Sequence, residues 1–401
     1  MNSLAHTTCR LCRRDSLELA FDLGEQPLAN GFHLPSEGPP PKFPLEVMVC
    51  LDCGLAQIST VVDPTVLYSF YRYVTSPSKT MAGHFFAFWE RACSVFGSRP
   101  SSVLEIGSND GRLLADWKPR MKSVFGIDPA KNLADRASKN GIPTLAAAFC
   151  SQSAKHIAAQ DFPPDIIVAR HVFCHIDDWW DAFAGLDLVA GPDTVIMIEV
   201  PDATNLLASG EFDTIYHEHL SYITPENMRV LLHRLSHEAG VHFRIVDEWH
   251  IGLHGGSVVF SLKRGRDSVS VNPTPEQSIG NWRNLALFAD RRCQELRDVL
   301  MDRVMSRVCG YGCPAKSTVL LSMLGGPFGI RYITDTTPDK VGLLHPVGEI
   351  PIVSPERLLE DNPDVAVLFA WNFQKEILEK EAALMARGTR FLIPLPTLTI
   401  Q

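Results

Sequence analysis

The sequence predicts an α/β protein in three parts: a small metal-stapled β module, a central open parallel sheet suited to a nucleotide-like cofactor, and a second, similarly wound α/β unit. Three observations predict it. Two Cys-x-x-Cys pairs, Cys9/Cys12 and Cys50/Cys53, lie near the start. An apolar run and glycine turn occupy residues 103–111, and the next apolar run ends in Asp128. From residue 308 a further glycine turn and alternating apolar runs repeat the strand–helix rhythm.

At 401 residues and 45% hydrophobic content, the chain is long enough for two or three globular domains. Its formal charge of −9 provides no global positive field for a polyanion, which argues against nucleic acid as a partner. No apolar run approaches the roughly 20 residues of a membrane span, and Met1-Asn2-Ser3-Leu4-Ala5-His6 lacks the basic region and apolar core of a signal peptide. A cytoplasmic monomer acting on a small molecule, away from membranes, is expected. Of the ten cysteines, four sit in the two pairs and the rest are scattered through apolar segments, the usage of a reducing compartment.

Each Cys-x-x-Cys turn lets two thiolates approach one cation, so Cys9, Cys12, Cys50 and Cys53 complete a tetrahedral sulfur shell with no open position. That is the pattern of a structural Zn2+. The 37 intervening residues exceed a short zinc-ribbon gap, Pro27, Pro35, Pro39, Pro40 and Pro41 suggest extended segments, and the alternation over 44–50 predicts a strand entering the second pair. Two redox pairs or a nucleic-acid zinc ribbon are the rival readings. Tyr68, Tyr71 and Tyr73 then crowd beside a polar turn. They either pack an amphipathic surface or line a sugar or nucleoside pocket, and Tyr71 and Tyr73 are substrate-contact candidates. Residues 81–96 read as an amphipathic helix.

Val103-Leu104-Glu105-Ile106 looks like a buried strand, Gly107 and Gly111 flank a turn, and Arg112-Leu113-Leu114-Ala115-Asp116-Trp117 reads as the helix beyond it. Glycine lets the backbone approach a ligand, and a helix start offers free N–H groups. Asp128 stands 17 residues past Gly111, at the end of Val124-Phe125-Gly126-Ile127, where an acid can accept from a ribose diol. The Glu-x-Gly-x-x-x-Gly spacing departs from the Gly-x-Gly-x-x-Gly of dinucleotide enzymes and resembles the first motif of class I (Rossmann-like) S-adenosylmethionine (SAM) methyltransferases. A generic turn without a ligand is the bland alternative.

Helical patterns at 133–139 and 151–160 alternate with strand-like runs at 143–148, 165–169 and 194–200, as a doubly wound sheet requires. Ligands of such sheets bind beyond the carboxyl ends of the strands. The cofactor-contact candidates are therefore Glu105, Gly107, Asn109, Gly111, Asp128, Phe149 and Arg170, while His175, just past the fourth strand, faces the substrate.

Tyr216-His217-Glu218-His219-Leu220-Ser221-Tyr222 is the catalytic candidate, because it gathers several proton-transfer groups within a few residues. A metal site of the His-Glu-x-x-His kind is the obvious rival, but the order here is His-Glu-His, and adjacent side chains on a helix diverge. A hydrogen-bonded structural cluster is the other alternative. Downstream, residues 230–239 read as helix, 243–246 as strand, 254–262 as a glycine turn feeding a strand, and 279–305 as a long helix with one solvated charged face. Val308-Cys309-Gly310-Tyr311-Gly312-Cys313-Pro314-Ala315-Lys316-Ser317 misses the phosphate-loop pattern, with Ala315 in place of the second glycine, which argues against an ATPase. A helix start carrying Lys316 still suits a diphosphate without metal. Further strands are expected at 331–334, 365–370 and 390–395.

Taken together, the paired knuckles, the Glu105-Ile106-Gly107-Ser108-Asn109-Asp110-Gly111 turn, His175, the 216–222 stretch and Gly310-Tyr311-Gly312 with Ala315-Lys316 resemble the sugar C-methyltransferases. Those enzymes act on nucleotide-linked 4-keto-deoxysugars in antibiotic biosynthesis, usually at C-3. The resemblance covers nearly the whole chain in the family's order: a zinc-binding module over 1–75, a SAM-dependent methyltransferase domain over 76–250 and a Rossmann-like substrate-binding domain over 251–401. It implies SAM as cofactor, Zn2+ as a structural ion, and His219 as the general base with Tyr216, Glu218 and His175 around the reacting sugar. It also implies that the last domain helps hold the nucleotide; Lys316, His217 and Tyr222 join the substrate-contact candidates. Family members commonly carry Asn where His171 stands and Gly-Asn where Ser317-Thr318 stand. An O- or N-methyltransferase on the same scaffold, a nicotinamide oxidoreductase and a non-catalytic zinc-containing binding protein are the competing functions.

Overall fold

Seven strands form the central sheet of the computed structural model, which describes residues 3–63, 66–67, 79–160, 162–252, 255–266, 273–301 and 307–401. Tyr68, Tyr71, Tyr73 and His254 lie outside the described residues. Val195–Pro201, Ile166–Arg170, Ser102–Ile106, Ser123–Asp128 and Thr144–Ala146 run parallel in that spatial order. Ser257–Arg264 pairs antiparallel with Val195–Pro201 and with the edge strand Phe243–Ile251. The second and third strands are added on one side of Ser102–Ile106 and the fourth and fifth on the other, so the winding reverses beside Gly107 and Arg170. Such a reversal opens a crevice at the carboxyl ends of the strands, where ligands of open α/β sheets bind.

Both faces of this sheet are covered, which is why its central strands read as continuous apolar runs instead of alternating. Lys79–Phe96 packs Phe85, Phe88 and Trp89 on one face together with Leu113, Leu114 and Trp117. On the other face lie Trp179–Val189 and Pro225–Arg234. Trp179–Val189 gives no amphipathic stripe in the sequence because it is buried on most of its circumference.

The N-terminal module is an antiparallel sheet of Leu17–Pro27, Lys42–Cys50, Ala56–Ile58 and, from far along the chain, Ser221–Tyr222. The 11-residue strand Leu17–Pro27 is the fold of the long gap between the cysteine pairs. In the C-terminal sheet, Ile352–Val353, Ile330–Thr334, Val308–Tyr311, Val365–Leu368 and Arg390–Ile393 are parallel and Thr399–Ile400 closes the edge antiparallel. Its winding reverses at Val308–Tyr311, directly before the second glycine turn. The 26-residue helix Pro275–Leu300 joins the parts, burying Ile279, Trp282, Leu285, Ala289, Cys293, Leu296 and Leu300 at helical spacing. Each large apolar side chain in that seam contributes roughly 1.5–3 kcal/mol by leaving water. Among the described residues no helix is long and apolar enough to cross a membrane.

Candidate active site

The first glycine turn is fixed by close approach. Gly107 has φ 68°, and a Cβ there would lie 2.2 Å from Cγ2 of Val172, at the tip of the fourth strand, so only glycine lets the two tips meet. Asp128 accepts the Asn109 N–H through Oδ2 and the Ala130 N–H through Oδ1, each at 2.8 Å, and so ties the turn to the second strand. Burial raises its carboxyl while those two N–H groups oppose the rise, and each oxygen keeps a further lone pair for a hydroxyl. Glu105 pairs with Arg170 at 3.1 Å, and burial pushes its carboxyl up to about 7 against that partner. Phe149 is buried against Gly185, where a Cβ would meet its ring at 3.2 Å. Glu105 Oε2, Ser108 Oγ and Asp110 Oδ1 are buried without a hydrogen-bond partner among the described residues. A buried polar atom of that kind asks for a ligand, and this set fits one with a diol and a charged amino-acid end, as SAM has.

The four cysteines converge. Sγ of Cys9 is 3.5 Å from that of Cys53, and Cys12 is equally far from Cys50, with all four ligand atoms within 4.8 Å of one another. A tetrahedral Zn–S shell places sulfurs about 3.8 Å apart, so the donor set fits Zn2+.

Residues 216–222 are not helical. They leave the short turn Phe212–Thr214 and end by pairing Ser221 with Gln57 and Tyr222 with Ala56 of the zinc module. His219 Nδ1 lies 2.8 Å from the Thr214 carbonyl. A carbonyl can only accept, so Nδ1 carries the proton and Nε2 is left with a free lone pair. The Tyr216 ring lies 4.0 Å from the His219 ring and the His175 ring 5.2 Å. Burial, then the neighbouring His175, hold His219 well below the ordinary histidine range, with His171 and Lys316 adding to the effect. Burial, with His171, lowers His175 to about 4. Both imidazoles are therefore neutral near pH 7. Cys174 Sγ joins these two histidines as a third metal-type donor. Burial raises its thiol, which keeps it protonated and a poor metal ligand, and the nearby charge of Lys316 further disfavours a metal ion there.

The remaining sequence-marked residues divide between this cluster and its supports. Lys316, at the start of Ala315–Leu324, places Nζ 4.0 Å above the Trp371 ring with no hydrogen-bond partner among the described residues. Its charge acts on His219, Glu211 and Asp213. Burial nevertheless raises Glu211 to about 8. A cleft of about 830 Å3 lined by Glu211, Asp202, His250, Trp371 and Lys375 adjoins this charge. Tyr222 instead packs its ring at a tilt against Trp282, centroids 4.9 Å apart, on the wall of a separate cleft of about 960 Å3 that includes none of His175, His219 or Lys316. His217 turns to the zinc module, with its Nε2 donating to the Pro44 carbonyl at 3.2 Å and its ring edge-on to Phe43.

Two of the shaping residues, Asn30 and Arg10, carry no signal in the sequence. Asn30 donates to Glu218 Oε1 at 2.6 Å. Arg10, inside the first cysteine pair, donates to the Leu220 and Ile58 carbonyls and to Asp177 Oδ1, clamping both histidine-bearing loops. Thr318 donates to the Ala29 carbonyl at 2.9 Å and Ser317 lies 3.1 Å from His345 Nε2. The Ser317-Thr318 departure thus serves the contact between the outer domains.

Three family models match in succession: a zinc binding domain over residues 9–68, a methyltransferase domain over 81–236 and a C-methyltransferase C-terminal domain over 252–396. The C-methyltransferase NovU of Streptomyces niveus is 32% identical over 405 aligned positions, covering 97% of this chain and 95% of that protein. Among solved structures, the N-methyltransferase NodS of Bradyrhizobium japonicum matches 48% of this chain and 100% of its own at 13% identity and a TM-score of 0.35. A SAM-dependent methyltransferase of Clostridium acetobutylicum matches 46% and 92% at 13% identity, also with a TM-score of 0.35.

Proposed function

The chain belongs to the SAM-dependent C-methyltransferases with an N-terminal zinc-binding domain, and from that premise we propose that it methylates the carbon beside the ketone of a nucleotide-linked 4-keto-deoxysugar, with His219 as the base. SAM is its cofactor and the four-cysteine zinc is structural. We take the functional divisions of the chain as 1–75, 76–250 and 251–401.

When bound, SAM supplies an electrophilic methyl group. A carbon next to a ketone becomes nucleophilic only once a base has taken its proton, because the electron pair then delocalises onto the carbonyl oxygen. The observation that carries this reading is the bond from His219 Nδ1 to Thr214, which leaves Nε2 as a proton acceptor beside Tyr216, His175 and Lys316. A neutral buried imidazole is the protonation state a base needs at neutral pH. Tyr216 and neutral His175 serve as donors to the developing enolate oxygen, each contributing about 3 kcal/mol if preorganised. Glu218, fixed by Asn30, orients the base region. Glu105, Gly107, Asn109, Gly111, Asp128, Phe149 and Arg170 hold the cofactor, and the ammonium of Lys316, which has no hydrogen-bond partner among the described residues, holds the diphosphate at a helix start. His217 and Tyr222 act by anchoring the loop, given where their rings lie. A branched deoxysugar for antibiotic biosynthesis is the product class this implies.

The test is incubation of zinc-loaded protein with SAM and nucleotide-linked 4-keto sugars in deuterium oxide. The reading requires a mass gain of one methyl on carbon and deuterium at the adjacent C–H when SAM is withheld. A methyl ether or methylamine product, or methylation without exchange at that carbon in any assay, would overturn it.

A further inference from the structure

The turn Phe212–Thr214 belongs to the central domain, yet a side chain of the C-terminal domain holds it. Trp371 Nε1 donates to Asp213 Oδ2 at 2.7 Å across 158 residues of chain, and Asp213 is 1% exposed. An indole N–H can only donate, so the direction of this bond is fixed. Breaking it in place would strand a donor and an acceptor away from water. Phe212 and Ile215, which flank Asp213 and Thr214, are fully buried in the same apolar core as Phe369 and Trp371.

Trp371 is itself held at the tip of its own sheet. It follows the strand Val365–Leu368, and the facing glycine turn closes on that tip: Gly312 has φ 76°, and a Cβ there would lie 2.9 Å from that of Ala370. Lys316, from the helix after that turn, lays its Nζ 4.0 Å above the indole ring. A cation over the face and an acceptor at the N–H polarise the ring in the same sense, so each contact strengthens the other. The residue after Asp213 is Thr214, whose carbonyl accepts from His219 Nδ1 at 2.8 Å. Two bonds therefore share one short turn, the first reaching the C-terminal domain and the second the histidine. An imidazole's tautomer is set by such a bond, and the bond holds only while the carbonyl keeps its place.

We propose that Trp371, through its bond to Asp213, is a positioning residue for His219: the C-terminal domain holds the turn whose Thr214 carbonyl keeps the proton on Nδ1 and the lone pair on Nε2. The consequence for turnover rests on the C-methyltransfer reading; the control of the tautomer stands without it. In the step concerned the C–H bond breaks, its proton passes to His219 Nε2 and its electron pair moves onto the carbonyl oxygen, leaving an imidazolium and an enolate. The Nδ1 proton stays on its nitrogen, bonded to Thr214, throughout. A ring that carried its proton on Nε2 would have no lone pair there to accept the proton from carbon.

The experiment records the imidazole nitrogen chemical shifts of His219, assigned with H219N, in full-length, zinc-loaded wild type, W371F, D213A and D213N, beside kcat and SAM affinity. W371F keeps an aromatic ring under the Lys316 ammonium and removes the N–H. Wild type should show one tautomer, protonated on Nδ1. W371F and D213A should show the second tautomer as well, with kcat lowered about 10-fold and SAM affinity unchanged. D213N keeps a carbonyl to accept the indole N–H and should restore the single tautomer. A latch that only stabilised the fold would lower the thermal midpoint and leave the tautomer alone. Two tautomers in wild type, or an unchanged tautomer in W371F, overturn the proposal whatever happens to turnover. So does a D213N as altered as D213A, which would make charge the cause and not the bond. A shifted tautomer in W371F, when wild type methylates no keto sugar, upholds the positioning and sinks the functional reading. If D213A fails to fold, W371F decides alone.

Discussion

The carboxylate that pins the cofactor-side glycine turn, Asp128, lies 19 residues from the amide it accepts. On the opposite wall of the site, the amide that holds Glu218 comes from Asn30, 188 residues away, and the guanidinium that holds the Leu220 carbonyl comes from Arg10, 210 residues away. The first wall is built within one domain; the second draws on contacts from the N-terminal module as well. If His219 is the base as proposed, the contrast predicts that cofactor binding and proton transfer are separable, with contacts from the zinc module supporting the second.

Breaking the zinc shell is the strongest test. In C50S the module loses its closed donor set, and turnover is expected to vanish while SAM affinity, measured calorimetrically, changes by less than about threefold, because the glycine turn and Asp128 are hydrogen-bonded within the central domain. Parallel loss of SAM binding would show that the two walls are not independent. H219N comes next: kcat should fall at least about 100-fold with SAM affinity unchanged, as expected when a general base is removed, and near-normal turnover would take the base role from His219. D128A works the opposite wall. It deletes a carboxylate acceptor, so SAM affinity should fall about 10- to 100-fold with zinc content intact. N30A removes one amide donor to Glu218 and should lower kcat about 10-fold while leaving SAM binding and zinc untouched.

A further test reads stability instead of turnover, through a difference in the sign of pH dependence. His175 and, in the seam between outer domains, His345 are both lowered to about 4 by burial, so the unfolded chain binds protons below pH 6.5 that the folded chain refuses. Stability therefore falls as pH drops from 6.5 toward 4, by up to about 1.4 kcal/mol per unit for each group. Glu105, raised to about 7 by burial, does the reverse: it keeps its proton in the fold, and stability falls as pH rises from 4.5 toward 7. Thermal unfolding of wild type, H175N and E105Q across pH 4–8 separates the contributions. Each variant should flatten its own limb only.

What the sequence made legible follows the same division. The Cys9/Cys12 and Cys50/Cys53 spacing, the Gly107–Gly111 turn and Asp128 announce themselves because spacing along a short stretch imposes their geometry. His219 was legible as a residue type in a dense cluster, but its tautomer depends on Thr214 and its environment on Lys316, which no local pattern reveals. Residues 216–222 form a loop whose end completes another domain's sheet, a tertiary demand that no local pattern shows. Arg10 and Asn30 look ordinary in one dimension. Their contacts with Leu220 and Glu218 come from segments brought together by tertiary structure.

Ser221 and Tyr222 pair with Gln57 and Ala56, so the strand that anchors the proton-transfer loop cannot form before the N-terminal sheet and the central domain have come together. Contacts between distant segments demand loop closure first and are slow to form. The N-terminal sheet offers an edge to which residues 221–222 pair from far along the chain, so the loop carrying His219, the base proposed above, takes its place only where two distant parts of the chain have met.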